Sequence, residues 1–311
     1  MASNKVIIFG PTGGVGSATA LAAQKQGVKV FLAMRDTSKS IPQLSSSQEQ
    51  AGGFERVEAD LTKPDSVSAA VSKTGAKHAF IYLVFGSPDN LKSSIEALKS
   101  SGIEFVVFLS SFGIRGEKTT VQPDDPIAYL HAQVEIHLEE AFGPQGYVAV
   151  RPAYFASNSK RWKSTIGSGE LKILYPDAKF DWISPEDIGT VCGNIVAGGW
   201  QAASGKTIVG LVGPQMTSQR DAVAAIGKGI GRELKVTEID EETGLQQLLD
   251  SNVPKFIAEH LVKVQRERNA ETDGWFEGPA YEEGVANVAK YVGREPTKFA
   301  EWVAKNKQDF E

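Results

Sequence analysis

Glycine spacing near the amino terminus constrains the fold of this chain more than any other feature. A short apolar run from Val6 to Phe9 is followed by Gly10, Gly13 and Gly16, and then by an alanine-rich helical pattern. This order predicts a strand, a tight turn and a helix that bind a dinucleotide. The first glycine permits the turn, the second lets a pyrophosphate approach the backbone, and the third lets the helix pack closely on the sheet. The N–H groups of the helix N-terminus would then face the phosphates.

The residue after the second predicted strand indicates which dinucleotide is bound. Arg35 follows the strand predicted over 28–34 and lies about twenty residues beyond the glycine turn. An acidic residue at this place binds the ribose of NAD, whereas an arginine accommodates the 2′-phosphate of NADP. Asp36 weakens this inference, and Lys39 adds a second positive charge. We therefore expect NADP(H) as cofactor, and the alternative is that Arg35 is a solvated surface residue.

The first 110 residues alternate apolar strand patterns with helical patterns. Further strands are predicted over 54–57, 79–85 and 105–109, and the unbroken apolar run over 79–85 is typical of a strand buried on both faces. The alternation predicts an α/β fold with a Rossmann-type, doubly wound parallel sheet. Ligands of such sheets bind outside the carboxyl ends of the strands. We therefore expect the cofactor to contact Gly10, Thr12, Gly13, Gly14, Val15, Gly16, Arg35, Lys39, Asp60, Leu61, Phe85, Gly86, Ser110, Pro152, Tyr154 and Phe155.

The rest of the chain predicts a smaller lobe. Asp125-Pro126 indicates the start of a helix that extends to about Phe142, and strands are predicted over 147–150, 180–183 and 207–212. Beyond residue 217 the pattern is helical and amphipathic. We predict an NAD(P)-binding domain over 1–155, to which the elements from about 180–212 return, and a mostly helical C-terminal substrate lobe over 156–311.

Composition excludes several classes of function. The 311 residues carry a formal net charge of −5, so neither nucleic acid nor a membrane surface is an expected partner. The first strand begins almost at once, and we expect no signal or transit peptide and a cytoplasmic protein. The single cysteine, Cys192, excludes internal disulfides, and we expect it to be a buried small side chain. The histidines show no metal-ligand spacing, so no metal site is predicted.

Five segments together resemble the NmrA-like family of atypical short-chain dehydrogenases, which includes isoflavone-reductase-like and triphenylmethane-reductase-like proteins. They are Gly10-Pro-Thr-Gly-Gly-Val-Gly16, Arg35, Ser110-Ser111, Arg151-Pro-x-x-Phe155-x-x-Asn158 and Trp182-Ile-Ser-Pro-Glu-Asp187-Ile-Gly189. The resemblance extends to the tail over 292–302 and so covers nearly the whole chain. It implies an NADP-binding Rossmann domain, a smaller helical lobe, and a substrate held between them against the nicotinamide.

The catalytic residues depart from the pattern of ordinary short-chain dehydrogenases, which use Tyr-x-x-x-Lys. Tyr129 is followed four residues later by Gln133, which supplies no cation. Members of the resembled family often carry Lys-x-x-x-Glu instead, and alignment on Glu135 puts His131 at the lysine. Either His131 replaces that lysine, holding the ribose or protonating a substrate oxygen, or the proton relay is absent. Tyr129 and His131 would point roughly 200° apart on an ideal helix, and we favour His131.

Other candidates each have a structural alternative. His131 would otherwise be a partly exposed histidine bonded to Glu135, and Asp60 would otherwise cap the helix predicted around 64–72. Ser111 lies where short-chain dehydrogenases place a substrate-orienting serine, but serines at strand ends also cap turns. We expect Phe155 and Asn158 to shape the substrate pocket. The basic residues over 263–268 are predicted to form a solvated helix face, and aromatic side chains that suit a flat conjugated substrate are Tyr154, Trp162, Trp275, Phe276 and Tyr281.

These observations predict an NADPH-dependent reductase of a small conjugated carbonyl, quinone or imine, acting as a monomer or homodimer. Two alternatives remain open. One is a dinucleotide-sensing regulatory protein without turnover. The other is a catalyst that keeps NADP as a scaffold for a cyclisation or rearrangement without net redox change.

Overall fold

The computed structural model describes residues 4–271, 274 and 276–311. Its strands, in chain order, are β1 (Lys5–Phe9), β2 (Lys29–Met34), β3 (Glu55–Glu58), β4 (His78–Tyr82), β5 (Phe105–Leu109), β6 (Tyr147–Pro152), β7 (Glu170–Leu174), β8 (Lys179–Phe180), β9 (Ile208–Leu211), β10 (Thr217–Ser218) and β11 (Lys235–Ile239). Its helices are α1 (Gly14–Lys25), α2 (Ser46–Ala51), α3 (Pro64–Thr74), α4 (Lys92–Ser100), α5 (Pro126–Phe142), α6 (Lys163–Ile166), α7 (Pro185–Ala202), α8 (Gln219–Ile230), α9 (Glu241–Asp250), α10 (Lys255–Asn269), α11 (Gly278–Val292) and α12 (Phe299–Lys305).

The central sheet has seven parallel strands in the order β3-β2-β1-β4-β5-β6-β9. Val6 of β1 pairs with Val30 on one side and with His78 on the other. The predicted doubly wound parallel sheet is therefore confirmed. The strand order reverses between β1 and β4, and the carboxyl ends of strands at such a point form the crevice in which ligands bind.

Side chains of β1 alternate between two hydrophobic cores on opposite faces of the sheet. Val6 and Ile8 pack with α1 and α7, whereas Ile7 and Phe9 pack with α3, α4 and α5. Cys192 of α7 is completely buried in the first core, and its burial raises the pKa of the thiol. This confirms the prediction that Cys192 is a buried small side chain.

Helix α5 begins as predicted. The side chain of Asp125 accepts a hydrogen bond from the backbone N–H of Ala128, with a donor–acceptor distance of 3.0 Å. Val134, Leu138 and Phe142 are buried on the sheet side of this helix. The capping carboxylate and the apolar stripe therefore fix both the start of α5 and the face that it turns to the core.

Three strand predictions were wrong. The fourth strand ends at Tyr82 rather than at residue 85, and Phe85 beyond it is 52% exposed. The strand predicted over 180–183 is limited to β8, while Ile183 forms an isolated bridge with Phe155. Strand β11 lies within the stretch predicted to be helical, where it pairs in parallel with β7. Strand β11 is short, and its partner strand is far away in the sequence. The residues of β11 by themselves therefore give only a weak strand signal.

A third core lies in the second half of the chain. Trp162, Phe180, Trp182 and Trp302 are all buried in it. The tail reaches back to the start of α7, because the buried Asp187 accepts hydrogen bonds from Arg294 and from Thr297. Strand β9 joins the central sheet beside β6. The predicted division at residues 155 and 156 stays a prediction.

Candidate functional site

The glycine turn is shaped by close contacts at Gly10 and Gly16. Gly10 has a φ of +69°, and a Cβ atom there would lie 2.4 Å from the Tyr82 ring. A Cβ atom on Gly16 would lie 2.2 Å from the carbonyl oxygen of Gly10. Around Gly13, by contrast, the nearest atom would be 3.6 Å away. The turn is therefore closed on the protein side and open at Gly13, beside the N-terminus of α1.

A cavity of about 310 Å³ lies at the carboxyl ends of β1, β2 and β4, and we call it the Arg35 cavity. Of the predicted cofactor contacts, its walls include Gly10, Thr12, Arg35, Lys39, Asp60, Leu61 and Phe85. Arg35 and Lys39 are exposed and add two positive charges to the cavity. Oxygen Oδ1 of Asp36 accepts hydrogen bonds from the hydroxyl and backbone N–H of Ser38, which lower the pKa of Asp36.

Asp60 forms a local turn rather than a helix cap. Its Oδ1 accepts hydrogen bonds from the backbone N–H and the hydroxyl of Thr62, at 3.0 and 2.7 Å. Lys63 is the N-cap residue of α3, so the alternative that Asp60 caps this helix is wrong. Asp60 and Leu61 both line the Arg35 cavity. Contact of either residue with an adenine stays a prediction.

Arg56 supports the Arg35 cavity from outside, and the sequence analysis did not identify it. Its Nη1 donates to the carbonyl oxygens of Thr37 and Lys39, at 2.5 and 2.9 Å. Its other nitrogens hold both carboxylate oxygens of Glu49. This arrangement fixes the turn that follows Arg35. An arginine on a short strand gave no sequence signal for this role.

A second cavity, of about 630 Å³, adjoins the glycine turn, and we call it the glycine-loop cavity. It is lined by residues of the turn, including Gly13, Gly14, Val15 and Gly16, and by Phe155 and Lys160. Glu186 at the start of α7 accepts hydrogen bonds from Trp302, at 2.9 Å, and from Gln43, at 2.6 Å. The segment around Glu186 and the tail around Trp302, which are distant in sequence, therefore meet at this cavity.

A third cavity, of about 330 Å³, contains both histidine and aromatic side chains, and we call it the His131 cavity. Its walls include the predicted site residues Phe85, Ser110, Ser111, His131, Pro152, Tyr154 and Phe155. Phe85 also lines the Arg35 cavity, and Phe155 also lines the glycine-loop cavity. Tyr129 and Gly86 are not among the residues that line any of these three cavities.

The geometry of His131 determines which of its nitrogens carries the proton. Nδ1 lies 2.7 Å from the carbonyl oxygen of Ile127, and a carbonyl only accepts, so Nδ1 is the donor. No described residue forms a hydrogen bond with Nε2. The ring is open to the cavity on one side, and its burial elsewhere lowers the pKa of His131. His131 is therefore neutral at pH 7 and presents a hydrogen-bond acceptor at Nε2.

Glu135 is not the partner of His131, and the structural alternative proposed for this histidine was wrong in that respect. Glu135 holds the Nε and Nη2 atoms of Arg151, at 2.9 and 2.6 Å, and accepts a hydrogen bond from Ser110. All three residues are buried. The hydroxyl of Ser111 accepts a hydrogen bond from the backbone N–H of Gly113. Ser111 therefore stabilises a turn as well as lining the His131 cavity, and its catalytic role stays a prediction.

His260 and Arg268 line the His131 cavity, although neither was predicted as a site residue. The His260 side chain is 8% exposed, and its Nε2 lies 3.4 Å from Asp125. Arg268 is 6% exposed and lies 4.2 Å from the ring centre of Phe276, so its assignment to a solvated helix face was wrong. Arg266 matches that prediction, because it pairs with Glu241 at the surface. Trp275 lies outside the described residues.

Asp181 holds the backbone that carries Tyr154. It accepts hydrogen bonds from the N–H groups of Tyr154 and Gly213, at 2.8 and 2.7 Å. Burial raises the pKa of Asp181 to about 7, despite these two bonds. The ring of Tyr154 stacks on Phe180, with 4.1 Å between ring centres. The aromatic wall of the His131 cavity is therefore held from behind by a buried carboxyl group.

The sequence model of the NmrA-like family matches residues 2–303 of this chain. The chain belongs to the NmrA-like family. The family resemblance predicted from the sequence is thereby confirmed. No group of three or more histidine, cysteine, aspartate or glutamate residues in the described part of this NmrA-like protein is arranged to hold a metal ion. None of its described helices has both the length and the apolar character needed to cross a membrane.

Relatives of this NmrA-like protein include both regulators and reductases by name. The nitrogen metabolite regulation-like protein bik4 of Gibberella fujikuroi is 39% identical, over 96% of this chain and 95% of its own length. The NAD(P)H azoreductase of Xenophilus azovorans is 22% identical, over 96% of each chain. The NADPH complex of an Escherichia coli quinone oxidoreductase is similar in structure, with a TM-score of 0.71 at 18% identity, over 97% of this chain and 99% of the other.

Proposed function

We propose that this NmrA-like protein binds NADP(H) and is an NADPH-dependent reductase of a small conjugated carbonyl, quinone or imine. The continuity of three cavities carries the proposal. They run along the carboxyl ends of the strands from Arg35, past the glycine turn, to His131, and neighbouring cavities share Phe85, Thr12 and Phe155. A dinucleotide has two ends joined by a pyrophosphate, and this row offers a place for each part.

The chain's own residues fit such a cofactor. Gly13 leaves an open approach to the N-terminus of α1, where a pyrophosphate would meet free N–H groups. Arg35 and Lys39 would bind a 2′-phosphate. Phe85, which is 52% exposed, lies between two cavities and would pack against the cofactor. Burial of such an exposed aromatic ring would favour binding.

The His131 cavity would hold the substrate. The bound cofactor would supply a hydride from its nicotinamide. The rings of Tyr154 and Phe155 would contact a flat substrate and exclude bulk water. Because neutral His131 only accepts at Nε2, it would orient a water molecule by accepting one of its hydrogens. The other hydrogen of this water would pass to the reduced group as a proton, and the hydroxide formed would take up a proton from solvent when the product leaves. In this respect His131 takes the place of the lysine found in related enzymes.

The direct test follows the decrease in NADPH absorbance when purified protein is mixed with NADPH and each of a panel of quinones, aromatic ketones and imines. The expected result is substrate-dependent oxidation of NADPH, with one molecule of product formed for each NADPH oxidised. Activity should fall as the pH drops through the lowered pKa of His131, because protonation removes the acceptor at Nε2. Cofactor binding without oxidation across the whole panel would contradict the reductase proposal.

A second function is favoured by one specific observation, which is the name of the 39% identical relative as a regulation-like protein. We propose as the alternative that this chain senses the ratio of NADP to NADPH and acts through a protein partner. Titration of both cofactors, together with the oxidation assay, separates the two proposals. Tight binding with different affinities for the two redox forms, and no turnover, would support the sensor.

A further inference from the structure

A fourth cavity, of about 780 Å³, continues from the His131 cavity into the C-terminal half of the chain, and we call it the Arg161 cavity. The two cavities share wall residues, namely Ile127, Tyr154, Asn158, Phe180, Leu261 and Val264. We propose that the Arg161 cavity binds an acidic group, such as a carboxylate or sulfonate, at the far end of an elongated substrate. This inference rests on the proposed reductase function and specifies its substrate class.

Arg161 is oriented but its charge is not neutralised by a described residue. Its Nη1 donates to the Tyr154 hydroxyl at 2.8 Å, and its Nη2 donates to Gln219 at 2.6 Å. Both partners are uncharged. By contrast, Arg220 and Arg266 each hold a carboxylate through two nitrogens. A guanidinium fixed by neutral acceptors keeps its full positive charge for a bound anion.

The partners of Arg161 are themselves held in one orientation. Gln219 is completely buried, and its Nε2 donates to the carbonyl oxygens of Leu174 and Tyr175, at 2.8 and 3.0 Å. Since a carbonyl only accepts, the amide oxygen of Gln219 must face Arg161. The Tyr154 oxygen accepts from Arg161, which leaves its own O–H to donate. An anion beside Arg161 would therefore also meet the hydroxyl of Tyr154.

A second cation lines the same cavity. Lys172 lies on β7 between the buried Leu171 and Ile173, so its side chain projects to the opposite face. No ion pair joins Lys172 to another described residue. Among the described wall residues the single acidic one is Asp250, and it accepts a hydrogen bond from Gln246. Two cations and one carboxylate give this cavity a net positive charge.

The position of the charge predicts which kinetic constant it affects. The acidic group would lie one cavity away from His131, so it would interact equally with the ground state and the transition state. Such uniform binding lowers KM and leaves kcat unchanged. Both cations are exposed, so the decrease in KM that the acidic group produces should become smaller as salt is added.

The experiment compares a naphthoquinone that carries a carboxyalkyl side chain with its methyl ester. The full-length protein should prefer the acid, and Arg161→Gln should raise KM for the acid about tenfold with kcat unchanged. KM for the ester should not move. Arg161→Lys should restore part of the preference. Arg220→Gln, which removes an exposed arginine outside the cavity, is the matched control and should behave as wild type.

Two results would overturn the proposal. One is that the wild type shows no preference for the acid, and the other is that Arg161→Gln raises KM equally for the acid and the ester.

A direct binding measurement keeps the test of the anion site separate from turnover. Anthraquinone-2-sulfonate and 2-methylanthraquinone can be titrated against the intrinsic tryptophan fluorescence, to which Trp162 in the cavity wall contributes. Preferential sulfonate binding that Arg161→Gln abolishes would support the anion site even if no quinone is reduced. Equal binding of both probes would overturn the anion site whatever the enzymatic result.

Discussion

The Arg35 cavity and the His131 cavity are built in different ways. Described wall residues of the first all lie between Phe9 and Phe85, at the ends of neighbouring strands. Those of the second extend from Phe85 to Phe276 and come from segments that are distant in sequence. The first is shaped by the glycine turn and by the bonds from Arg56 to the turn after Arg35. The second is held by side-chain partners that are distant in sequence, such as Asp181 behind Tyr154. Mutations should therefore damage the two regions by different physical routes.

The largest expected effect lies beneath the His131 cavity. Glu135→Ala leaves the buried guanidinium of Arg151 without its carboxylate. Removing one partner of a buried pair costs about 3–5 kcal/mol, because the remaining charge is uncompensated. Denaturant unfolding should show this loss in the free energy of unfolding. Glu55→Ala, which breaks the exposed pair with Lys29, is the control and should change stability little.

His131→Gln should reduce turnover and leave NADPH affinity unchanged. Loss of a group that positions a proton lowers kcat by about 10²–10⁴-fold. His137→Gln is a matched control on the same helix, since the Nδ1 of His137 contacts the Asn90 carbonyl instead. Steady-state kinetics and equilibrium cofactor titration check both variants. Unchanged turnover in His131→Gln would leave this histidine with a structural role.

Two glycines of the same turn should respond differently to alanine. Gly16→Ala places a Cβ atom 2.2 Å from the carbonyl oxygen of Gly10, so the backbone of the turn must move. We expect the free energy of unfolding to fall by about 1–3 kcal/mol. Gly13→Ala has room in the protein, and we expect it to keep stability while weakening NADPH binding. Thermal unfolding and cofactor titration would separate the two effects. Equal stability of both variants would contradict the assignment of distinct roles.

Arg35→Ala should weaken NADPH binding while leaving NADH binding nearly unchanged. A hydrogen bond to a charged group contributes about 1.5–3 kcal/mol, so we expect roughly a 10–100-fold loss. Calorimetric titration with both cofactors provides the comparison, and Arg232→Ala, which removes an exposed arginine outside the cavities, serves as control. Similar losses for the two cofactors would show that Arg35 does not bind a 2′-phosphate.

The smallest effect is expected at Arg56, which acts through the turn that follows Arg35. Arg56→Met removes the bonds to Thr37 and Lys39, as well as those to Glu49, and should reduce NADPH affinity by about 1 kcal/mol, or roughly fivefold. NADH affinity should change less, because this turn carries the two positive charges. If NADH binding falls equally, the turn supports the adenosine in general rather than its 2′-phosphate.

Sequence alone was enough wherever a local rule sets the structure. The glycine spacing predicted the strand, turn and helix at Gly10 to Gly16, and Asp125-Pro126 predicted the start of α5. Both depend on backbone conformation over a few residues. Strands β7 and β11 were both missed, because they pair with each other across more than sixty residues of sequence.

The sequence determined the parallel α/β fold, the glycine turn and the position of Arg35, because spacing and burial patterns within single elements encode them. Only the tertiary structure decided that Glu135 binds Arg151 rather than His131, and that His131 donates through Nδ1 to Ile127. It alone brought His260 and Arg268 to the same cavity and placed Arg161 beside neutral partners. Such contacts depend on the packing of distant helices, for which a single sequence carries no local signal.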